Sequence, residues 1–286
     1  MGLRSLFRKA FIGGKWFVAY KYDNQESFQL VPVENDKWIA DPFLIEENGE
    51  TYLFVEYYLE KERKACLAYY KFENNLPVFG SIIIKEPYHL SYPCFFEMNG
   101  KKYILPESSA GNVLSLYECD RFPDRWHKKV DLITGQKVVD TTVYKDKNNV
   151  VHLFSYKKQS GKFYLQHYIL NDDFSLDFIG DIQYDKNIGR PAGSFFFKDG
   201  NLFRPAQNCK DAYGKSLLFY KISIDDKNYS EEISEEIKID SIKIHGKFNR
   251  VHTFNCAGNL EVVDLFKEKF DLFRSIKIFI RSHRSK

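Results

Sequence analysis

One hairpin pattern recurs five times along the 286-residue sequence. The first copy, WIADPFLIEENGETYLFVE (38–56), places an Asn-Gly pair between two apolar-rich runs, and LSYPCFFEMNGKKYILPE (90–107) repeats this layout. Asn-Gly is a strong signal for a two-residue hairpin turn, because both residues tolerate positive φ. Three later copies turn near 148–149, at 199–200 and near 258, so the turns recur every 48 to 58 residues.

A period of about 50 residues with several short aromatic-rich strands in each unit is typical of β-propeller blades. Segments such as CLAYYKF (66–72) and SLLFYKISI (216–224) supply the outer strands. We therefore predict an all-β, five-bladed β-propeller over residues 23–266. A large β-sandwich is the main alternative, but it would not produce the regular spacing. The inner hairpins are expected near 41–56, 92–107, 140–155, 192–207 and 250–265.

The composition agrees with a packed, intracellular protein. Hydrophobic residues make up 44% of the chain and aromatic residues 17%, which is ample for a core. Five cysteines without a CxxC pair fit neither a disulfide framework nor a zinc site. The N-terminus lacks the continuous apolar segment of a secretory signal. We expect a cytoplasmic location, or a peripheral one at the inner membrane face.

Positive charge is concentrated at the two ends of the chain. Residues 1–22 hold five cations and no acid, and residues 267–286 hold seven cations and two acids, although the whole chain has a net charge of only +3. Apolar residues at helical spacing accompany these charges, so we predict a basic amphipathic N-terminal segment over 1–22 and a basic C-terminal helix over 267–286. Such helices either lie on an anionic membrane surface or pack on the body with a solvated basic face. The acidic middle of the chain disfavours nucleic acid as a partner.

Each hairpin brings the start of one strand and the end of the next to the same end of its blade. Polar residues at these positions are therefore expected to converge at one mouth of the central channel. Facing acids repel each other unless one is protonated or a cation or ligand lies between them. The facing pairs expected from the turns are Asp41–Glu56, Tyr92–Glu107 and Ala192–Gln207. The predicted mouth residues are Asp41, Glu56, His89, Glu107, Asp140, Arg190, Arg204, Gln207, Asn208 and His252, with Trp38 and Tyr92 for sugar stacking.

Purely structural roles for these residues remain open. A single acid at a strand end is usually an exposed loop-end residue, and a lone histidine is more often structural than catalytic. The histidines show no clustering that suggests a metal site, and the sequence has no DxD triplet. The sequence therefore predicts neither a metal nor a cofactor.

The phrase ADPF (40–43), followed by a GETYLF strand, resembles the first blade of the five-bladed propeller glycosidases, namely family 43 and its arabinanase, invertase and levansucrase relatives. This resemblance implies that Asp41 is a base or nucleophile and that Asp140 tunes or orients it. The same family places a general-acid Glu near the entry to its fourth blade, where this sequence has Arg190. Glu107 is our candidate to replace that acid from blade two.

A second resemblance covers nearly all of the propeller. HLSYPCFFEMNGKKYILPES (89–108), RPAGSFFFKDGNLFRPAQNC (190–209) with a following YG, and VHTFN (251–255) resemble the N-terminal domain of plant glucosamine inositolphosphorylceramide transferases. They also resemble bacterial relatives associated with surface-glycan synthesis. The plant proteins carry a separate glycosyltransferase domain after the propeller, so the resemblance leaves open whether the propeller catalyses or only binds.

The charge of the site distinguishes two kinds of chemistry. Hydrolysis of a glycoside needs two carboxyl groups in paired roles, whereas a phosphate leaving group needs positive charge. Arg190 and Arg204 open and close the fourth hairpin, and two guanidinium groups can bind phosphate, although they can equally neutralise the nearby acids.

We therefore predict a glycosyltransferase of surface polysaccharide or glycolipid synthesis. It would move a sugar from a phosphate-activated donor, either a nucleotide sugar or a sugar pyrophosphate, to a glycan or lipid-linked glycan acceptor. A glycoside hydrolase with Asp41 as base, Glu107 as acid and Asp140 as tuning residue is the first alternative. A non-catalytic glycan-binding module is the second.

Overall fold

The computed structural model describes residues 12–225 and 228–270, which form five mainly four-stranded antiparallel sheets. The first two strands of the chain, β1 (Ile12–Tyr22) and β2 (Gln29–Leu30), belong to the last sheet. Blade one contains β3 (Lys37–Glu47), β4 (Glu50–Leu59), β5 (Lys64–Glu73) and β6 (Leu76–Ile84). Blade two contains β7 (Ser91–Met98), β8 (Lys101–Glu107), β9 (Val113–Arg121) and β10 (Arg125–Thr134).

The remaining blades follow the same plan. Blade three contains β11 (Val139–Lys145), β12 (Val151–Gln159), β13 (Lys162–Leu170) and β14 (Leu176–Tyr184). Blade four contains β15 (Ile188–Pro191), β16 (Phe196–Lys198), β17 (Asn201–Asn208), β18 (Ser216–Asp225) and β19 (Asn228–Lys238). Blade five contains β20 (Arg250–Ala257) and β21 (Leu260–Phe270), completed by β1 and β2.

The first strands of the blades form a closed ring. Strand β3 contacts β7, β7 contacts β11, β11 contacts β15, β17 contacts β20, and β20 returns to β3. The predicted all-β, five-bladed propeller is confirmed. Helix in the described part of the chain is limited to two single-turn 3-10 segments, Ser109–Gly111 and Ile239–Ser241. Among these described residues there is no helix long and apolar enough to span a bilayer.

The N-terminal boundary predicted from sequence is wrong. Residues 12–22 do not belong to an amphipathic terminal segment, because β1 pairs with β21 along its whole length and completes blade five. Trp16, Val18 and Tyr20 are buried at a spacing of two, which is the period of a strand. Strand β21 likewise continues to Phe270, so the predicted C-terminal helix does not begin at 267. The rest of both predicted segments, 1–11 and 271–286, lies outside the described residues.

The predicted facing pairs hold near the turns and fail at the far end of each hairpin. Phe43 pairs with Phe54 as the Asn48-Gly49 turn requires, but a β-bulge then shifts the register, so Glu56 pairs with Ala40 and not with Asp41. Related bulges place Ser91 opposite Glu107 and Arg190 opposite Gln207. Blades three and five have bulges at the corresponding positions, between Val139 and Thr142 and between Val251 and Phe254. The turn chemistry predicted each hairpin, but it did not reveal the extra residue.

Apolar side chains pack between neighbouring blades, and polar ones occupy the ring of inner strands. The largest core cluster joins blades one, two and three and includes Phe43, Phe54 and Leu105. Near the centre of the ring, the fully buried Tyr92 hydroxyl lies 2.5 Å from Thr142 Oγ1 and accepts a hydrogen bond of 2.7 Å from Gly193 N. One side chain of blade two thereby connects blades three and four. We call the end of the ring at which β3, β7, β11 and β20 begin the mouth face, and the opposite end, with the hairpin turns, the turn face.

Candidate active site

The bulges at the mouth face direct side chains toward the channel. Asp41, Tyr92 and Asp140 are each the first bulged residue of an inner strand. Their φ angles are positive, at 47°, 51° and 46° respectively. Non-glycine residues in this region carry a backbone cost of about 1–3 kcal/mol and are concentrated at functional sites. The other non-glycine residues with positive φ in the described chain lie in turns and loops, so within the strands this conformation is found at the mouth.

Blades one and five contribute a relay of two acids and one histidine. Nδ1 of His252 lies 2.6 Å from Asp264 Oδ2, and its Nε2 lies 3.7 Å from Asp41 Oδ1. Asp264 also accepts hydrogen bonds from the backbone N–H groups of Asp41, His252 and Thr253 at 2.9–3.1 Å. Asp41 accepts from Thr253 Oγ1 at 2.9 Å and from Tyr92 N at 3.2 Å. All of these groups are buried, so the hydrogen bonds fix their positions.

The charges within the relay follow from burial and from the neighbouring acids. Burial by itself lowers the pKa of His252, but the negative charge and hydrogen bond of Asp264, together with Asp41 and Asp140, raise that pKa to about 9. Burial raises the pKa of Asp41 well above its ordinary value, His252 lowers it, and Glu56, Asp140 and Asp264 add to the increase. One donor atom from each of Asp41, His252 and Asp264 lies within 4.8 Å of the others, as in a cation site. Binding of a cation there would require loss of the imidazole proton, and with that proton in place the three groups form an ion-paired relay.

Aromatic rings cover the histidine on its outer side. Trp16 of β1 stacks on His252 with ring centroids 3.9 Å apart and an interplanar angle of 11°. Tyr213 meets His252 edge-on at 5.2 Å and also lies 5.4 Å from the guanidinium carbon of Arg190. The loop can come this close because residue 214 is glycine with φ +62°, where an added Cβ would lie 2.9 Å from His252 Cβ. Tyr213 is 42% exposed and forms part of the rim of the mouth.

Blades two, three and four share a second cluster of charged groups. The guanidinium of Arg190 binds Asp140 through Nε and through Nη2 at 3.1 Å, and the same Nη2 binds Glu107 Oε2 at 3.2 Å. Gln207 donates to Asp140 Oδ2 at 2.9 Å, and Ser109 donates to Glu107 Oε1 at 2.7 Å. The Glu107 and Arg190 side chains keep exposures of 15% and 21%, whereas Asp140 keeps 3%. Glu107 and Arg190 therefore face the open mouth, with Asp140 behind them.

The two carboxyl groups of this cluster have opposite protonation tendencies. Burial raises the pKa of Glu107 well above its ordinary value, and the negative charge of Asp140 adds to the increase, which Arg190 opposes. Burial also acts to raise the pKa of Asp140, but the charge and hydrogen bonds of Arg190 outweigh it and hold that pKa below its ordinary value. Two acids whose environments separate their pKa values are the usual arrangement of a proton donor and its charged partner.

A third group lies between blades one and two. Nδ1 of His89 accepts a hydrogen bond from Ala65 N at 3.1 Å, so the ring proton is on Nε2, which lies 3.0 Å from Glu56 Oε1. Trp38, half-buried nearby on β3, stacks on Tyr58 with centroids 4.4 Å apart. This group supplies an aromatic pair and a neutral histidine beside the mouth.

Two predicted substrate contacts are wrong, and a third residue, Asn208, lies apart from the clusters described above. Tyr92 is fully buried, so it cannot stack on a sugar. Arg204 is also fully buried, and its guanidinium binds Glu231 Oε2 at 2.6 Å within blade four. Strand alternation turns Arg204 to the opposite side from Gln207, which lies three residues further along. Asn208 binds Glu236 of the outer strand β19 at 3.0 Å and does not join the mouth clusters.

Sequence reasoning missed two residues of the site. Asp264 is the central acceptor of the relay. Pairing the two strands of the fifth hairpin about its turn, as for the other hairpins, would have placed Asp264 opposite His252 and Thr253. Tyr213 lies in a loop between β17 and β18, where no strand register fixes its position. The only local signal for it is Gly214, which permits the close approach of the loop.

Comparison with known proteins identifies the family. A sequence model described as glucosamine inositolphosphorylceramide transferase 1, N-terminal, matches residues 31–265. The chain belongs to this family. Similar proteins include glucosamine inositolphosphorylceramide transferase 1 of Oryza sativa subsp. japonica, 25% identical over 226 residues, and that of Arabidopsis thaliana, 27% identical over 223 residues. The matches cover 72% and 71% of this chain but only 29% and 28% of those family members.

Solved structures share the fold at low sequence identity. A thermostable family-43 glycoside hydrolase has a TM-score of 0.58 at 12% identity, covering 84% of this chain and 91% of its own. The catalytic domain of the GH62 alpha-L-arabinofuranosidase from Coprinopsis cinerea has a TM-score of 0.59 at 14% identity, covering 90% and 98%. A mannose phosphorylase from Leishmania mexicana in complex with phosphate ion has a TM-score of 0.53 at 10% identity, covering 88% and 91%. These likenesses establish the propeller fold of the family and nothing further.

Proposed function

We propose that the mouth of the propeller is a glycosyl-transfer site that moves a sugar from an activated donor to a glycan or lipid-linked glycan acceptor. One observation carries the proposal: a single guanidinium, that of Arg190, holds Glu107 and Asp140, whose pKa values are shifted in opposite directions. The named transferases of the same family support transfer as the reaction class.

Each carboxyl group has a distinct role in this proposal. Glu107 faces the mouth and retains its proton to a higher pH than an ordinary Glu, so it donates that proton to the departing oxygen of the donor. Asp140 is the tuning residue, because its negative charge adds to the effect of burial in raising the pKa of Glu107. Asp41 accepts the proton of the acceptor hydroxyl, and the positive charge of His252 limits the rise of its pKa.

The class of sugar donor proposed here differs from the phosphate-activated donor predicted from the sequence. Two arginines were expected to bind a donor phosphate, but Arg204 is buried inside blade four and Arg190 is shared by two acids. A leaving group that takes a proton from Glu107 fits this charge distribution better than a diphosphate does. A phosphate-activated donor requires Arg190 to exchange one of its carboxylate partners for phosphate.

The charge of the mouth also favours a particular kind of sugar. Acidic side chains outnumber the cations there, which are Arg190 and His252. An amino sugar carries a positive charge that such a site can accommodate, and glucosamine is part of the name of the related transferases. Besides the protonated Glu107, the acids around the mouth are Asp41, Glu56, Asp140 and Asp264.

Glycoside hydrolysis is the second candidate, because the same acid and carboxylates could direct water to the sugar. Product analysis distinguishes the two reactions. The protein is incubated with amino-sugar and neutral-sugar donors, as nitrophenyl glycosides and as nucleotide sugars, with and without a glycolipid acceptor. Transfer predicts a sugar–acceptor product, whereas hydrolysis predicts free sugar whether or not acceptor is present.

The Glu107→Gln variant tests the assigned proton donor. It keeps the size of the side chain but supplies no proton, so we expect a loss of turnover of 100-fold or more, on the order of the usual contribution of a general acid. Glu97→Gln is the matched control, because Glu97 lies on the same hairpin with an exposed side chain that pairs with Lys102 at 3.3 Å. Equal turnover by all three proteins would refute Glu107 as the proton donor, whereas glycan binding without turnover by the unmodified protein would favour a glycan-binding module.

A further inference from the structure

The loop between β17 and β18, residues 209–215, places a tyrosine between the two charged clusters of the mouth. The ring centroid of Tyr213 lies 5.2 Å from that of His252, which belongs to the relay of blades one and five. The same centroid lies 5.4 Å from the guanidinium carbon of Arg190, which holds the acids of the second cluster. Tyr213 therefore contacts both clusters from the rim of the mouth.

Backbone hydrogen bonds fix this loop on two sides. Lys215 N donates to Asn208 O at 3.1 Å and thereby closes the loop at the start of β18. Val251 N of blade five donates to Gly214 O at 3.0 Å, directly beside Tyr213. The ring of Tyr213 is thus held in place by the protein itself, and a side chain that is ordered in advance loses little conformational freedom when a ligand binds.

The hydroxyl group of Tyr213 is not used within the described part of the chain. The contacts of Tyr213 there are ring contacts and a hydrogen bond of 3.4 Å from Arg250 Nη1 to its carbonyl oxygen. By contrast, the hydroxyl groups of Tyr92 and Tyr156, inside the ring of blades, are both hydrogen-bonded. A phenol at the open mouth is therefore available to donate a hydrogen bond to a ligand.

This phenol stays protonated, because acids of both clusters act on it. Although Tyr213 is partly exposed, the loss of water around its phenol raises the pKa of the group well above its ordinary value, and Arg190 opposes the increase. The negative charges of Asp140, Asp41 and Glu107 add to it. The hydroxyl is thus a neutral donor among the carboxyl groups of the mouth.

We propose that Tyr213 is a substrate-binding residue whose hydroxyl donates a hydrogen bond to a hydroxyl group of the transferred sugar. The inference rests on the proposed function, which assigns Glu107 as the proton donor and Asp41 as the base. A sugar that both carboxyl groups reach lies beside the ring that contacts both clusters. A site that binds a sugar hydroxyl in this way discriminates against an analogue that lacks it, because its own polar group is then left unpaired.

Isothermal titration calorimetry with glucosamine tests the contact without any turnover. Tyr213→Phe keeps the ring and removes only the hydroxyl, so we expect glucosamine to bind about two- to tenfold more weakly, as for the loss of one neutral hydrogen bond. Tyr164→Phe is the matched control, because the Tyr164 hydroxyl contacts Gln183 of the outer strand β14 at 3.4 Å. This control should bind glucosamine as the unmodified protein does.

Deoxy sugars test whether the hydroxyl acts directly on the ligand. The unmodified protein should bind one of the 3-, 4- and 6-deoxy derivatives of glucosamine about two- to tenfold more weakly than glucosamine. Tyr213→Phe should bind that derivative and glucosamine equally, because the contact is already lost. Equal weakening of all four sugars by Tyr213→Phe would indicate a structural effect and would overturn the inference. Unchanged affinity of Tyr213→Phe, or no binding of glucosamine by the unmodified protein, would overturn it as well.

These results separate this inference from the proposed function. Binding that depends on the Tyr213 hydroxyl without any turnover would support the inference and refute the proposed transfer. Turnover with a KM that Tyr213→Phe leaves unchanged would support the transfer and overturn the inference.

Discussion

The ion pair between His252 and Asp264 should make the stability of the propeller depend on pH. Both side chains are buried, and Nδ1 lies 2.6 Å from the carboxylate. The folded protein raises the pKa of His252 from 6.5 to about 9, although burial opposes the increase. Between pH 6.5 and about 9, the folded protein therefore keeps the imidazole proton of His252, whereas the unfolded chain has released it.

The magnitude follows from that difference in pKa. At about 1.4 kcal/mol for each unit of pKa, protonation of His252 contributes about 3 kcal/mol to the free energy of unfolding. This contribution is fully present below pH 6.5 and is lost as the pH rises through 9, because the unfolded imidazole releases its proton first. Stability should fall by up to about 1.4 kcal/mol for each pH unit within this window.

Guanidinium chloride unfolding at pH 6, 7, 8 and 9.5 measures the effect. The difference in unfolding free energy between the unmodified protein and His252→Gln should decrease by about 3 kcal/mol across the series. Asp264→Asn should remove most of the pH dependence, because it removes the negative charge nearest to the ring. His245→Gln is the control at an exposed histidine and should retain the original profile. A difference that stays constant from pH 6 to 9.5 would show that His252 is neutral in the folded protein.

Three further predictions concern buried partners and the proposed acid. Arg204→Met should lower the unfolding free energy by about 3–5 kcal/mol, because it leaves the Glu231 carboxylate buried without its main cation. An unchanged melting temperature in calorimetry would contradict this prediction. Tyr92→Phe should cost about 1–3 kcal/mol in denaturant unfolding, because the amide of Gly193 loses its acceptor, and a neutral effect would contradict the bridge described above. If Glu107 is the proton donor, kcat/KM should fall as the pH rises through its raised pKa, and Asp140→Asn should move that fall to lower pH. A pH profile unaffected by Asp140→Asn would argue against the tuning role.

Much of the fold could be read from the sequence, because hairpin signals are local. An Asn-Gly pair is a strong local signal for a two-residue turn, so the turns at 48–49 and 99–100 gave the spacing of the blades, and the five copies of the hairpin gave their number. The strand character of residues 12–22 was harder to recognise. Its alternating apolar pattern is present in the sequence, but the residues of its partner β21 lie 238 to 258 positions away, and only closure of the ring brings the two strands together.

The candidate site required the tertiary structure. Sequence placed Asp41, Glu107, Asp140, Arg190 and His252 at one mouth, and the structure brings them into two hydrogen-bonded clusters there. The bulges are not visible in the sequence, and each one reverses the side to which the following residues point. The sequence also could not tell the partly exposed Arg190 from the buried Arg204, because it does not show which side of β17 faces the channel.

The sequence by itself determined the number of blades, the turns and the acids available at the mouth, since these depend on local backbone preferences and on residue type. Only the tertiary structure decided which acid is paired with which cation. That choice depends on distances of about 3 Å between side chains from different blades, and those distances also separate the pKa of Glu107 from that of Asp140. The pairing of β1 with β21 is likewise a property of the closed ring, because strands far apart in the sequence complete blade five together.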